Sequence, residues 1–215
     1  MRLVTTARLR EAVLAALVDE DDLAALAEIE SATSTRLLAE EVGLEHIAAN
    51  EFVHGVAHAR FINAAFAYAR PHELNRFNGP GRGAWYAALA TETCLAEVAF
   101  HMTEFLGRTG RYVGIVDYAE MFAGMAGAFV DLRGPDAGYA CLDPEPAIGY
   151  PAGNRLADAG RARGLNGIVY PSVRHPDGTC IVALWPHAVQ SVAPGAIYRL
   201  VWSGSPTPRV ERIVG

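Results

Sequence analysis

A loop, a short apolar segment and an amphipathic helix follow one another over residues 76–101, and the rest of the chain must fold around them. The loop has three glycines and one proline within residues 76–83, a composition that favours turns. The apolar residues 83–89 predict a buried strand. Thr91 is a suitable N-cap for a helix that ends near Leu106.

Four polar side chains in this stretch could share one site. Arg76 and Arg82 lie in the loop, which has no acidic residue, and Tyr86 lies in the predicted strand. Glu97 falls on the edge of the apolar stripe of the helix, at helical spacing from His101. Together these groups suit a ligand that is anionic at one end and becomes cationic at the other. Taken singly, each has an ordinary explanation as a surface arginine, a core tyrosine or a helix-start acid.

Length, composition and charge restrict the class of protein. The 215 residues, 51% of them hydrophobic, are enough for one domain with a full core. No apolar run approaches the roughly 20 residues that cross a bilayer, and no signal peptide is visible, so we expect a cytoplasmic protein without membrane contact. The net charge of −6 disfavours a general nucleic-acid binder. The three cysteines lack the spacing of a zinc site or a disulfide framework, and no metal is expected.

The remaining patterns predict the order of elements. Residues 7–18 and about 23–42 have the periodicity of amphipathic helices, and we expect residues 1–51 to form a helical N-terminal extension. A second domain over residues 52–215 has predicted strands at 111–117, 129–132 and 196–202, a hairpin at 167–173 and 179–185, and a helix at 154–163. This order predicts an α+β fold in which a mixed or antiparallel sheet wraps a cleft.

Arg60 interrupts the apolar run of residues 52–70. A charged side chain in such a run either reaches the surface or faces a polar cavity. Three further arginines follow within 22 residues, and this favours the cavity.

Several common motifs are absent. The loop glycines are followed neither by the Lys-Ser/Thr of a P-loop nor by the helix of a dinucleotide fingerprint, and Ser172 lacks the nucleophile elbow of a hydrolase.

The order and spacing of five residues resemble the RES-domain family of bacterial toxins, which is named for an arginine, a glutamate and a serine. The five are Arg60, Arg76 in NRFN, Tyr86 in AWYAA, Glu97 eleven residues later, and Ser172 in YPSVRHPDG. The loop departs from the family pattern, because Asn75 and Phe77 stand where relatives often have glycine and tryptophan. The predicted helical extension also lies outside that pattern.

The resemblance implies a fold similar to diphtheria-toxin-type ADP-ribosyltransferases, with NAD⁺ as substrate. Such toxins cleave the nicotinamide–ribose bond, and they either degrade NAD⁺ by hydrolysis or phosphorolysis or transfer ADP-ribose to a protein target. The resemblance also implies a bacteriostatic toxin whose active site is covered by an Xre-type helix-turn-helix antitoxin, and which meets DNA only through that antitoxin. The alternatives are a module of the same fold that binds a nucleotide or a partner without turnover, and a toxin acting on RNA, which the acidic balance disfavours.

The chemistry of NAD⁺ suggests roles for the five residues. Arg60 and Arg76 would hold diphosphate oxygens with their guanidinium forks. Glu97 would stabilise the positive charge that develops on the ribose as the bond breaks. Tyr86 would stack on the nicotinamide, and Ser172 would hydrogen-bond the substrate, since no general base is visible beside it. We therefore predict Glu97, Tyr86 and Arg60 as catalytic, and Arg60, Arg76, Tyr86 and Ser172 as NAD-binding.

Overall fold

The computed structural model describes residues 1–6, 46–68, 74–134 and 138–213. Within these ranges the helices are α1 (Ala59–Ala67), α2 (Thr91–Arg108) and α3 (Pro146–Ala162). The strands are β1 (Arg2–Thr5), β2 (Trp85–Ala88), β3 (Val113–Met125), β4 (Phe129–Asp131), β5 (Gly167–Pro171), β6 (Thr179–Ala183), β7 (Val189–Ser203) and β8 (Arg209–Ile213). Short 3-10 helices lie at Ala49–Glu51, Ala140–Leu142 and Pro186–Ala188. The helices predicted at 7–18 and 23–42 fall outside the described residues.

The strands form two four-stranded sheets, which confirms the predicted α+β class. The first sheet has the order β1-β3-β7-β8 and is antiparallel throughout. The second has the order β2-β6-β5-β4 and is mixed, because β4 and β5 run parallel. The predicted hairpin is confirmed: β5 pairs with β6 from Gly167↔Ala183 to Pro171↔Thr179. None of the described helices is long and apolar enough to cross a bilayer.

The first sheet is larger than the sequence predicted. Strands β3 and β7 extend well beyond residues 111–117 and 196–202, through segments rich in glycine and alanine that have low intrinsic strand propensity. Their long mutual pairing, with two register shifts, stabilises those segments. Strand β8 was not predicted. Strand β1 is a correction as well, because the sequence analysis placed residues 2–5 in the helical extension and the structure pairs them with β3. The domain boundary after residue 51 stays a prediction.

Helix α3 starts at Pro146, eight residues before the predicted start at Asn154. Glu145 caps it by accepting a hydrogen bond from the Ala147 amide at 3.3 Å. Its glycines, which have low helix propensity, are needed for close packing. A Cβ atom at Gly153 would lie 1.9 Å from the carbonyl oxygen of Arg76. Helix α3 therefore packs directly against the loop that carries Arg76.

Helix α2 is confirmed, but its N-cap is Ala90 and no side chain caps it. Thr91, the predicted cap, instead donates a hydrogen bond from its hydroxyl to Oε1 of Glu120 at 2.6 Å. Glu120 is a buried residue of β3, 4% exposed. Phe105, an apolar residue near the end of the same helix, is 55% exposed. The contact between Thr91 and Glu120 fixes the start of α2 against the first sheet.

Two apolar clusters form the core of the described part of the chain. One packs Leu200 and Trp202 of β7 with Ile168 and with partly buried side chains of α2. The other packs α1 against Trp85 of β2 and Ala119 of β3. Burial of these large side chains stabilises the fold from both sides of the first sheet.

Candidate active site

A cleft of about 210 Å³ opens where β1, the loop before β2, α2 and the start of α3 meet. Its polar and aromatic lining is made by Arg2, Asn75, Arg76, Tyr86, Glu97, His101, Tyr150, Tyr170 and Arg174. Of the five residues singled out in the sequence, Arg76, Tyr86 and Glu97 line this cleft. Ser172 reaches it through a hydrogen bond to Glu97.

The carboxylate of Glu97 is held in one orientation by Ser172. The Ser172 hydroxyl accepts hydrogen bonds from the backbone amides of Arg174 and His175, each at 3.1 Å. Because those amides occupy its lone pairs, its single proton is donated to Oε1 of Glu97, at 2.6 Å. The Cys180 thiol lies 3.6 Å from the same oxygen. Ser172 is thus a positioning residue for Glu97.

The turn after β5 brings Ser172 to α2. The Ser172 amide donates to the carbonyl oxygen of Gly178 at 2.7 Å, which closes the turn. Thr93 in the first turn of α2 is fully buried and hydrogen-bonds Nδ1 of His175 at 3.0 Å. A Cβ atom at Gly178 would lie 2.7 Å from the Thr93 hydroxyl, so only glycine allows this approach. The turn is anchored one helical turn before Glu97.

Arg76 is buried, with 7% of its surface exposed, and its guanidinium is anchored to backbone carbonyls. Its Nη1 donates to Cys141 at 2.6 Å and to Asp143 at 2.9 Å. The guanidinium carbon lies 5.3 Å from the ring centroid of Tyr150. Asn154 of α3 holds the loop by donating to the carbonyl oxygen of Asn75 at 2.7 Å. Arg76 therefore has a fixed position before any ligand arrives.

The Tyr86 hydroxyl connects β2 to the same loop. It accepts a hydrogen bond from the Phe77 amide at 2.9 Å and donates one to Oδ1 of Asn78 at 2.9 Å. Burial raises the pKa of Tyr86 well above its ordinary value, so the phenol stays neutral. With both functions of the hydroxyl in use, its half-buried ring is what lines the cleft. Stacking of this ring on a nicotinamide stays a prediction.

Arg60 and Arg82 lie elsewhere. Arg60 is exposed on α1, over the ring of its neighbour Phe61, and does not line the cleft. The geometry therefore supports the surface alternative for Arg60 and gives no support to its predicted NAD-binding and catalytic roles. Arg82 is buried and pairs with Glu51 at 2.5 Å. The sequence showed no acidic residue near Arg82 because this partner lies 31 positions earlier.

Three cleft residues were missed in the sequence. Arg2 belongs to a four-residue strand too short to give a periodic signal, and its guanidinium lies 4.7 Å from the ring centroid of Trp85. Tyr150 lies in a region rich in proline and glycine, a composition that favours an ordered loop or short helices over one long helix. Arg174 follows Ser172 by two positions and stands within the quoted YPSVRHPDG segment, which was the available signal.

Among the described residues that line the cleft, arginines outnumber carboxylates although the chain is acidic overall. Arg2, Arg76 and Arg174 lie in this lining together with the carboxylate of Glu97. Burial raises the pKa of the Tyr150 phenol, even though the two neighbouring guanidinium groups lower it, so the phenol remains a neutral hydrogen-bond donor. This arrangement suits an anionic ligand that carries a cationic group near Glu97. Among the residues described by the structure, no group of three His, Cys, Asp or Glu could hold a metal ion.

Comparison with known proteins identifies relatives. Residues 52–203 match the profile of a family described as RES domain. An uncharacterized protein, y4oC from Sinorhizobium fredii (strain NBRC 101917 / NGR234), is 26% identical over 194 residues, which are 90% of this chain and 78% of the relative. The family match contains Glu97, Ser172 and the loop of Arg76, whereas Arg2 precedes it.

Proposed function

The chain belongs to the RES-domain family, and on that premise we propose that it is a toxin that consumes NAD⁺ by breaking the nicotinamide–ribose bond. The family is generally associated with toxins that degrade NAD⁺. The observation that carries the proposal is the Glu97 carboxylate, oriented by Ser172 at 2.6 Å and set in a cleft lined by arginines. A fold like that of diphtheria-toxin-type ADP-ribosyltransferases is part of the proposal.

The charges of NAD⁺ suit this cleft. The molecule has two negatively charged phosphate groups and one positively charged pyridinium ring. Guanidinium groups bind phosphate oxygens through paired N–H donors, and Arg76 is already fixed by its two backbone contacts. Arg2 supplies a second cation on the cleft wall. The carboxylate of Glu97 in the same cleft attracts the positively charged end of NAD⁺, where the pyridinium ring joins its ribose.

The reaction places its new charge on the ribose. When the bond between the ribose carbon and nicotinamide breaks, the electron pair leaves with nicotinamide, which becomes neutral, and the ribose gains oxocarbenium character. Glu97 stabilises that charge mainly in the transition state, so it raises the rate more than the affinity. The acceptor then forms the new bond to the same carbon. When the acceptor is water, Glu97 is the cleft-lining carboxylate that can take its proton.

The acceptor decides the product. With water as the acceptor the product is ADP-ribose, and with inorganic phosphate it is ADP-ribose carrying a phosphate on the ribose carbon that held nicotinamide. With a protein side chain as the acceptor the product is an ADP-ribosylated protein. A host that makes such an enzyme must restrain it, and we propose an Xre-type helix-turn-helix antitoxin that covers the cleft. In this proposal the toxin meets operator DNA only through the antitoxin.

Replacing Ser172 by alanine should lower kcat for nicotinamide release by about 10- to 100-fold, the range for losing a hydrogen bond to a charged group. The KM for NAD⁺ should change little, because Ser172 orients Glu97. Steady-state kinetics measured by chromatography of nicotinamide would test this. Ser203→Ala, at an exposed serine of β7, is the matched control. A higher KM with an unchanged kcat would instead make Ser172 a substrate-binding residue.

Growth and NAD⁺ content of a bacterial host would test the proposed function in cells. Induced expression of the wild type without an antitoxin should arrest growth and lower the NAD⁺ pool, whereas Glu97→Gln at equal protein level should do neither. Growth arrest with an unchanged NAD⁺ pool would contradict the proposal. So would equal NAD⁺ loss with both proteins.

A further inference from the structure

Arg76 and Arg174 are both anchored to one short turn beside the cleft, residues 143–145, which directly precedes α3. Arg76 donates to the carbonyl oxygen of Asp143 at 2.9 Å, and Arg174 donates from Nη2 to that of Pro144 at 2.7 Å. These carbonyls belong to consecutive residues, although one arginine comes from the loop before β2 and the other from the turn after β5. Consecutive carbonyls of one turn therefore anchor a guanidinium group from each of two separate loops.

Aromatic side chains fix the orientation of both groups. The guanidinium carbon of Arg174 lies 3.5 Å from the ring centroid of Phe100 in α2. The ring of Tyr150 faces the Arg76 guanidinium, with 5.3 Å between the guanidinium carbon and the ring centroid. Burial raises the pKa of its phenol, and the charges of Arg76 and Arg174 both lower it. Tyr150 thus stands between the two cations and offers them a neutral phenol.

Within the described part of the chain, Arg76 and Arg174 differ from several other arginines in having no ion pair with an acidic side chain. The arginines at 82, 133, 161, 199 and 209 each form an ion pair with Asp or Glu. Among the described residues, Arg76 and Arg174 have no carboxylate within ion-pair distance, and their anchors are neutral carbonyls. Two like charges held together without a counterion repel each other, and an anion placed between them relieves that repulsion.

We infer that Arg76, Arg174 and Tyr150 form one cradle for the diphosphate of the substrate, and that Arg174 is a binding residue of this enzyme. A diphosphate has adjacent negative groups, one for each guanidinium fork, and takes a further hydrogen bond from the phenol. Because the anchors fix both forks, little side-chain freedom is lost on binding. The inference rests on the proposed function, since it takes the diphosphate to be that of NAD⁺.

Calorimetric titration in a Glu97→Gln parent, whose turnover should be strongly reduced, tests the cradle. The probes are ADP-ribose, which keeps the diphosphate and lacks nicotinamide, and inorganic pyrophosphate as its competitor. Arg174→Gln should raise the Kd for ADP-ribose at least tenfold and abolish competition by pyrophosphate. Arg155→Gln removes the same charge from an exposed position of α3 and should leave both unchanged. An Arg174→Gln Kd within twofold of the parent would overturn the inference.

A lysine variant separates ligand binding from support of the turn. Arg174→Lys keeps a charge and a donor for the Pro144 carbonyl but lacks the fork, so its Kd should stay at least threefold above the parent value. If the Kd of Arg174→Lys for ADP-ribose equals the parent value, Arg174 only supports the turn and the cradle is overturned. A parent that binds neither ADP-ribose nor pyrophosphate would also overturn the cradle. Arg174-dependent binding without nicotinamide release by the wild type would refute the proposed function alone. Release with Arg174-independent binding would refute the cradle alone.

Discussion

Replacing Glu97 by glutamine should lower kcat for nicotinamide release about 10²- to 10³-fold, the effect of removing one group that stabilises transition-state charge. The amide has the size of the carboxylate and an oxygen that can still accept from Ser172, but it has no negative charge for the ribose cation. NAD⁺ should therefore bind with nearly unchanged affinity. Single-turnover kinetics would measure the rate, and calorimetry would measure binding.

The matched control is Glu92→Gln, at an exposed glutamate in the first turn of the same helix. Its activity should equal that of the wild type. Equal turnover by the Glu97→Gln variant would remove Glu97 from the mechanism. Loss of binding together with turnover would assign Glu97 a role in substrate affinity, against the transition-state role argued above.

Replacing Arg82 by alanine should lower the free energy of unfolding by about 3 kcal/mol, as expected when one partner of a buried ion pair is removed. The Arg82 and Glu51 side chains are only 10% and 20% exposed. The change also leaves the carbonyl of His46 without its donor, which lies at 2.8 Å. Urea unfolding at neutral pH would measure the loss. Arg209→Ala breaks a pair whose side chains are 71% and 41% exposed, and should change stability by less than about 1 kcal/mol.

The Arg82 effect should depend on pH. Burial raises the pKa of Glu51, but the hydrogen bond and charge of Arg82 lower it more, so the pKa lies below the ordinary 4.5. A depressed carboxyl pKa stabilises the fold fully above the unfolded value and loses that effect as the pH falls through the folded value. The difference between wild type and Arg82→Ala should therefore shrink below pH 4.5. A difference that is constant down to pH 3 would show that the ion pair is not its cause.

The secondary-structure elements that carry Glu97 and Ser172 were predictable from the sequence. Glu97 lies at the edge of a helical stripe, and Ser172 follows a strand with strong turn chemistry, but only the resemblance to the RES-domain family assigned both to one site. Their direct hydrogen bond was not predicted, because it needs the turn after β5 to pack on Thr93, 82 positions before His175. Arg60 was assigned to the site from its apolar surroundings and from the resemblance to the RES-domain family. The structure exposes its side chain on α1, as the surface alternative allowed, and its role toward NAD⁺ stays a prediction.

Long-range pairing explains most of what the sequence did not reveal about the fold. Strand β1 has four residues and is stabilised by β3, more than a hundred positions later. The glycines at 149 and 153 argue against a helix on propensity, but they permit α3 to approach Asp143 and Arg76. Such tertiary contacts override local preference. Tyr150 could be recognised as a cleft residue only after these elements had been placed together, whereas Arg174 stood two positions after Ser172 in the quoted segment.

The most direct test of the central claim is to measure nicotinamide release from NAD⁺ by the purified wild type. The reaction is run in buffer alone, with phosphate, and with host lysate, and the lysate proteins are then analysed by mass. We predict release under at least one condition and its loss in Glu97→Gln. Release in buffer alone would identify a glycohydrolase, a requirement for phosphate would identify a phosphorylase, and release with lysate plus a protein mass gain of one ADP-ribose would identify a transferase. No release under any condition would contradict the account and leave a module that binds without turnover.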